Sequence, residues 1–239
     1  MSQDIKSLIK SFVEDLIDLY GDEVLSVYLF GSSVSKEFVK SKSDINVLVI
    51  FSSLSALTLK RYLSLKKKWS GEPIRPVFIG LKELNTSLDV FPIEFLDMKQ
   101  RNILLYGEDY IGEIEIDKAS LRRQIEAELR TKLLALRQSF ILLDESKRMR
   151  EYLEKMVTGL LPLFKSLLYL LGEESPLRAR ELIGRVSLIL KVDCTAFLDA
   201  WSMKMGEPTP YPEVYELFSR FHDALTEIVK AVDALEGRI

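Results

Sequence analysis

The sequence predicts an α+β fold, with a small mixed sheet flanked by helices over residues 1–115 and an all-α helical bundle over residues 116–239. Two β-rich apolar runs, at 24–30 and 45–51, stand on either side of a Gly31-Ser32 turn. Beyond residue 115 the character changes. Leu121, Ile125, Leu129, Leu133, Leu136 and Phe140 step by four or three, the stripe of a long amphipathic helix. Further helical segments joined by short loops follow it, which reads as an antiparallel bundle.

Taken in order, Ile5, Leu8, Ile9, Phe12, Leu16 and Ile17 recur at helical spacing and predict a helix over 3–20 that Gly21 ends. The strand at 24–30 leads straight into Gly31-Ser32. Residues 33–43, rich in Ser and Lys, read as a short helix or loop. The apolar run at 45–51 is nearly continuous and suits a strand covered on both faces. A helix with a basic end, Lys66-Lys67-Lys68, is expected over 54–69, and a third strand over 74–79. A short helix at 82–88 and a fourth strand at 91–98 complete the first half.

In the second half Asp117 or Ser120 caps the long helix. A helix over 149–171 carries Pro162 as a kink and closes at Gly172. Ser175-Pro176 reads as a cap followed by proline at the first helical position, opening a helix to about residue 190. Asp193 caps a short helix ending at Gly206. Pro208, Pro210 and Pro212 mark a loop before a last helix over 213–235, with Gly237 after it.

Composition narrows the function. Lys and Arg number 33 against 36 for Asp and Glu, and this net charge of -3 argues against a dedicated nucleic-acid binder. The single cysteine, Cys194, excludes an internal disulfide and a cysteine-based zinc site. The single histidine, His222, excludes a His-rich metal site. No basic-then-apolar signal opens the chain. The most apolar stretch, 156–171, contains Pro162 and Lys165 and falls short of the roughly 20 residues needed to span a bilayer. A cytoplasmic protein with no membrane partner is expected.

The stretch that carries chemistry is Val27-Tyr28-Leu29-Phe30-Gly31-Ser32, then eleven residues, then Asp44-Ile45-Asn46. On these residues the N-terminal half resembles the nucleotidyltransferase domain of the DNA polymerase β superfamily. Members of that group carry an apolar strand, Gly-Ser, a spacer of this length, and two carboxylates alternating with apolar residues on a second strand. A third carboxylate comes from a later strand. Phe91-Pro92-Ile93-Glu94-Phe95-Leu96-Asp97, followed by Leu105-Tyr106-Gly107-Glu108-Asp109, is also similar to uncharacterised bacterial and archaeal members of the group.

The resemblance implies attack of an acceptor hydroxyl on the α-phosphate of a nucleoside triphosphate. Two ions about 3.5–4 Å apart would stabilise the attacking and leaving oxygens. Mg²⁺ (or Mn²⁺) is the implied cofactor, because hard oxygen ligands suit it. Side chains two apart on a strand share a face, so positions 44 and 46 would share the metal site. Gly31 lets the backbone approach a phosphate, and Ser32 can donate its hydroxyl to one. A helix starting near Ser33 would add its amides. Asp44, Asn46 and Glu94 are the implied metal ligands, with Asp44 and Glu94 the catalytic carboxylates. If 91–98 is a regular strand, Glu94 and Asp97 lie on opposite faces. Glu94 is favoured because Asp97 adjoins the polar Lys99-Gln100-Arg101.

The sequence departs from the pattern at Asn46, which ligates without charge and so weakens the ion that two carboxylates would share. Two readings follow: a nucleotidyltransferase acting on a small-molecule or protein hydroxyl, or a degraded nucleotide-binding or partner-binding module. A third reading is a scaffold or antitoxin-like protein acting through its helical half. Arg75 reads as an ordinary surface arginine of the third strand, its alternative being a place at the nucleotide. Lys66, Lys67 and Lys68 read as a solvated helix end, and His222 as a packed or surface residue. The two-part layout resembles antibiotic nucleotidyltransferases, in which a helical domain completes the substrate cleft. Long apolar stripes on the bundle predict a homodimer.

Overall fold

The computed structural model describes residues 3–34, 44–143, 146–207 and 214–236. Side chains of residues 3, 4, 32, 33 and 146 lie outside that description. So do the expected short helix or loop beyond residue 34, the proline loop at 208–212 and Gly237. The chain divides into two compact units, residues 1–116 and 117–239.

The first unit is built on a four-stranded sheet in the order β3-β2-β1-β4. β1 (Val24–Phe30) runs antiparallel to both β2 (Ile45–Phe51) and β4 (Asn102–Gly107), and β2 runs parallel to β3 (Ile74–Gly80). β2 is apolar on both sides because both sides are covered. Ile45, Val47, Val49 and Phe51 enter one core, and Leu48 and Ile50 enter the other. α1 (Gln3–Tyr20) lays Ile5, Ile9, Phe12, Leu16 and Tyr20 on the first core, the i, i+3, i+4 stripe expected of it. α2 (Ala56–Lys68) starts at a Ser55–Thr58 capping box. Lys68 and Trp69 both bond Asp15 on α1, so part of the basic helix end is a structural tie.

On the opposite face Tyr28, Leu48 and Ile50 pack against Leu84 of α3 (Leu81–Ser87), Phe95 of α4 (Pro92–Gln100) and Ile111 of α5 (Tyr110–Glu113). Residues 92–100 form a helix where a strand was expected over 91–98, and the fourth strand lies at 102–107. Phe91, Ile93 and Phe95 alternate as a strand would. Pro92, Ile93, Phe95 and Leu96 also form a helical stripe, and these four are the buried ones. Pro92 at the first helical position pre-sets the turn. Glu94 and Asp97 are therefore helical neighbours, three residues apart.

The second unit holds α6 (Lys118–Leu142), α7 (Ser146–Leu170), α8 (Ala179–Leu190), α9 (Thr195–Lys204) and α10 (Val214–Asp233). Asp117 caps α6 by accepting from the amide and hydroxyl of Ser120. Leu121, Ile125, Leu129, Leu133 and Leu136 are buried, while Phe140 is 47% exposed and rests against Phe218 and Tyr215. Phe164, Phe197 and Phe221 meet edge to face or tilted inside the bundle. α8 begins at Ala179, not at Pro176 as the Ser-Pro pair suggested; Arg178 precedes it with no side-chain cap. No described helix is long and apolar enough to cross a membrane.

Tyr28 pins the sheet to the segment that follows β4. Its hydroxyl donates to the Glu108 carbonyl at 3.0 Å and accepts the Ile111 amide at 3.1 Å. Burial pushes its pKa above the usual tyrosine value, so the donor is retained. Tyr28→Phe leaves the buried Ile111 N–H unpaired and should lower stability by about 1–3 kcal/mol. Urea unfolding of both proteins measures this, and equal midpoints would show that the bond contributes nothing.

Candidate functional site

Strand alternation decides which side chains meet at the open end of the sheet. On β2, Asn46 falls on the face that carries Leu48 and Ile50, and Asp44, two residues earlier, falls in step with it. On β3, Ile74 and Phe78 face the α1 core. Arg75 therefore emerges on the other face with Ile79, the same face as Asp44 and Asn46. Register completes the grouping: Phe30 pairs with Asn46 across β1 and β2, and Asn46 pairs with Arg75 across β2 and β3. Gly31 follows Phe30 directly.

The dominant electrostatic feature is the pair between Arg75 Nη2 and Asp44 Oδ1 at 3.3 Å. Both side chains are more than half exposed, so the pair is worth only about 0–1 kcal/mol and exchanges partners readily. Arg75 also donates to the Ile74 carbonyl.

Gly31 adopts φ +70°, a left-handed conformation that glycine takes without strain. A β-carbon there would lie 3.5 Å from Asn46 Nδ2, an ordinary contact, so the conformation rather than space demands glycine. Its amide donates to the Arg101 carbonyl at 3.1 Å, so Gly31 offers a phosphate close approach and not its own N–H. Arg101 in turn pairs with Asp97, and Asn102 Nδ2 donates to the Met98 carbonyl at 2.8 Å, which ties the end of α4 to this corner. Ser32 and Ser33 belong to a single 3-10 turn over Gly31–Val34.

The structure thus brings together Gly31, Asp44 and Asn46 from the sequence reading and adds Arg75. Glu94 lies exposed on the first turn of α4, and Asp97 is held by Arg101. Neither comes from a strand. β3 reads Ile-Arg-Pro-Val-Phe-Ile-Gly and β4 reads Asn-Ile-Leu-Leu-Tyr-Gly, so among the described residues no strand after β2 supplies a carboxylate. Among the described residues no three His, Cys, Asp or Glu side chains converge as a metal group would. A cage of carboxylates around two ions does not fit these residues. A single hard cation does fit Asp44 and the Asn46 amide oxygen, since Mg²⁺ often takes one or two carboxylates and fills its remaining positions with phosphate oxygens and water.

Two other reactive groups lie elsewhere. Cys194 is buried and its thiol is pushed up to about 12 by burial, which keeps it protonated and inert. His222 accepts from Arg137 at 3.1 Å and stacks on Phe218, a packed surface histidine as expected.

The chain matches the nucleotidyltransferase domain family over residues 9–130, just over half its length. No curated protein matches it. Among solved structures, a spectinomycin adenyltransferase from Enterococcus faecialis, crystallised with ATP and spectinomycin, is similar at 15% identity with a TM-score of 0.54. The alignment covers 90% of this chain and 97% of that one, and at this identity the likeness is one of fold.

Gly31→Ala should cost roughly 1–2 kcal/mol, the strain of a left-handed L-residue, without a clash. Gly107→Ala is expected to be far worse, because its β-carbon would fall 1.8 Å from the Leu25 carbonyl oxygen. Urea midpoints rank the two, and an equal loss at both sites would contradict the distinction.

Proposed function

We propose that this chain, which belongs to the nucleotidyltransferase domain family, binds a nucleoside triphosphate at the Gly31–Asp44–Asn46 corner of its sheet and transfers the nucleoside monophosphate slowly to an acceptor hydroxyl. The observation that carries this reading is the placing of Asp44 and Asn46 on one face of the sheet, one strand away from the Gly31 turn. The acceptor oxygen would bond to the α-phosphorus and lose its proton to water while the bond to the bridging oxygen breaks, and pyrophosphate would leave. A small-molecule acceptor is the preferred class, because the similar adenyltransferase holds spectinomycin beside ATP.

Asp44 and Asn46 would hold the single divalent ion, Mg²⁺ or Mn²⁺, whose charge offsets that of the phosphates. Gly31 lets the chain lie close to the triphosphate because no β-carbon stands there. The neutral amide of Asn46 weakens ion binding where the family pattern has a carboxylate. That sets the expectation of a slow reaction.

A second reading is favoured by the Asp44–Arg75 pair, which engages the Asp44 carboxylate. On that reading the protein binds nucleotide without turning it over.

Calorimetry with ATP, GTP, CTP and UTP, with and without Mg²⁺, tests the binding step. Asp44→Ala should weaken metal-dependent binding by about 1–3 kcal/mol, the range for one charged contact. Absence of binding at millimolar triphosphate would refute the site. Pyrophosphate release separates the two readings. Asn46→Asp should tighten metal binding and speed release, whereas no release from either protein with a range of hydroxyl acceptors would favour the binding module.

A further inference from the structure

The corner where the family pattern requires a third acid carries a base instead. β3 is the strand beside β2, it comes later in the chain, and its side chain level with Asn46 is Arg75. We infer that Arg75 is a phosphate-binding residue of the triphosphate site, its guanidinium supplying the positive charge that a second divalent ion would otherwise bring. This rests on the proposed triphosphate site and specifies how that site is held.

Four observations support the assignment. Arg75 is the only charged residue of β3, so the later strand brings one charge to this corner, and its sign is positive. It shares the face of Asp44 and Asn46 and already lies 3.3 Å from the Asp44 carboxylate. Its side chain is 58% exposed, so a ligand can reach it. Among the described residues carboxylates do not converge here in the number two ions need, so a triphosphate with up to four negative charges finds no such source of compensation among them.

The chemistry follows from partner exchange. Without nucleotide, Asp44 is the counter-ion of Arg75. When a triphosphate and one cation arrive, the carboxylate turns to the cation and the guanidinium is released to phosphate oxygens. Arginine suits this role because its planar fork presents five donors and can meet two oxygens at once. No bond is made or broken. The exposed pair costs little to open, so most of the guanidinium's interaction is available to the ligand.

The test is ATP binding to the full chain in EDTA and in Mg²⁺, for the wild type, Arg75→Ala, Arg75→Glu and Asp44→Asn. If the inference holds, the wild type keeps measurable affinity in EDTA. Arg75→Ala should lose about tenfold or more in affinity under both conditions, as expected for a charged contact. Arg75→Glu should abolish binding in EDTA and leave only binding that depends on Mg²⁺. Asp44→Asn should tighten binding in EDTA, by removing a negative charge, and weaken it in Mg²⁺. Circular dichroism and urea unfolding confirm that each variant is folded; at an exposed pair, stability should move little. Wild-type binding that vanishes in EDTA but is strong in Mg²⁺ would overturn the Arg75 role and leave the triphosphate site standing. So would an Arg75→Ala protein that binds like the wild type. Failure of the wild type to bind under either condition would overturn both.

Discussion

β2 has nowhere to slide. Its Ile45, Val47, Val49 and Phe51 are locked into the core under α1, and its Leu48 and Ile50 into the core under α3, α4 and α5. A slip of one residue would drive Asn46 into the α1 core and move a large apolar residue to the corner, because strand side chains alternate strictly. Double-sided burial therefore fixes Asp44 and Asn46 on one face. It also fixes the partners: antiparallel β1 delivers Gly31 from one side and parallel β3 delivers Arg75 from the other. The site is a by-product of a register that hydrophobic burial enforces.

At that corner the balance of charge differs from the family pattern. Among the described residues, one carboxylate, one amide and one guanidinium stand where the resemblance implies acids around two ions. The surrounding architecture is the family's own: the sheet and the turn at Gly31 are present, and the likeness to an adenyltransferase fold extends over 90% of the chain. On the proposed reading, what differs is the means of offsetting phosphate charge. A guanidinium offsets it through directional hydrogen bonds. A divalent ion also polarises the reacting oxygens, and an arginine does so less strongly. On the proposed reading binding would be preserved better than rate, and slow transfer would follow from the same residues that hold the nucleotide.

Much of this is legible in the sequence. α1, β1 and β2 declare themselves through period and apolarity, and the Gly31–Asp44 spacing points to the corner where the pair is found. The fourth strand was misplaced because Phe91, Ile93 and Phe95 satisfy a two-residue alternation as well as a helical stripe. Pro92 was the signal that decides for helix, and its position one residue after Phe91 was readable. With that error went the pairing of Glu94 and Asp97 on opposite faces. Arg75 was visible as a residue but not as a neighbour of Asp44. Parallel strands meet through a crossover, so the register Asn46–Arg75 has no local trace in the sequence. The Gly31 amide bond to the Arg101 carbonyl is invisible for the same reason: the two residues stand far apart in the sequence.

The central claim is that one cation and one arginine share the work of holding the triphosphate. A crystal structure of the full chain with a non-hydrolysable ATP analogue and Mn²⁺, with the ion located by its anomalous scattering, tests it most directly. The account predicts one Mn²⁺ on Asp44 and Asn46, with the Arg75 guanidinium turned from Asp44 to phosphate oxygens. Two Mn²⁺ ions at the corner with Arg75 directed away, or an analogue bound elsewhere on the protein, would contradict it.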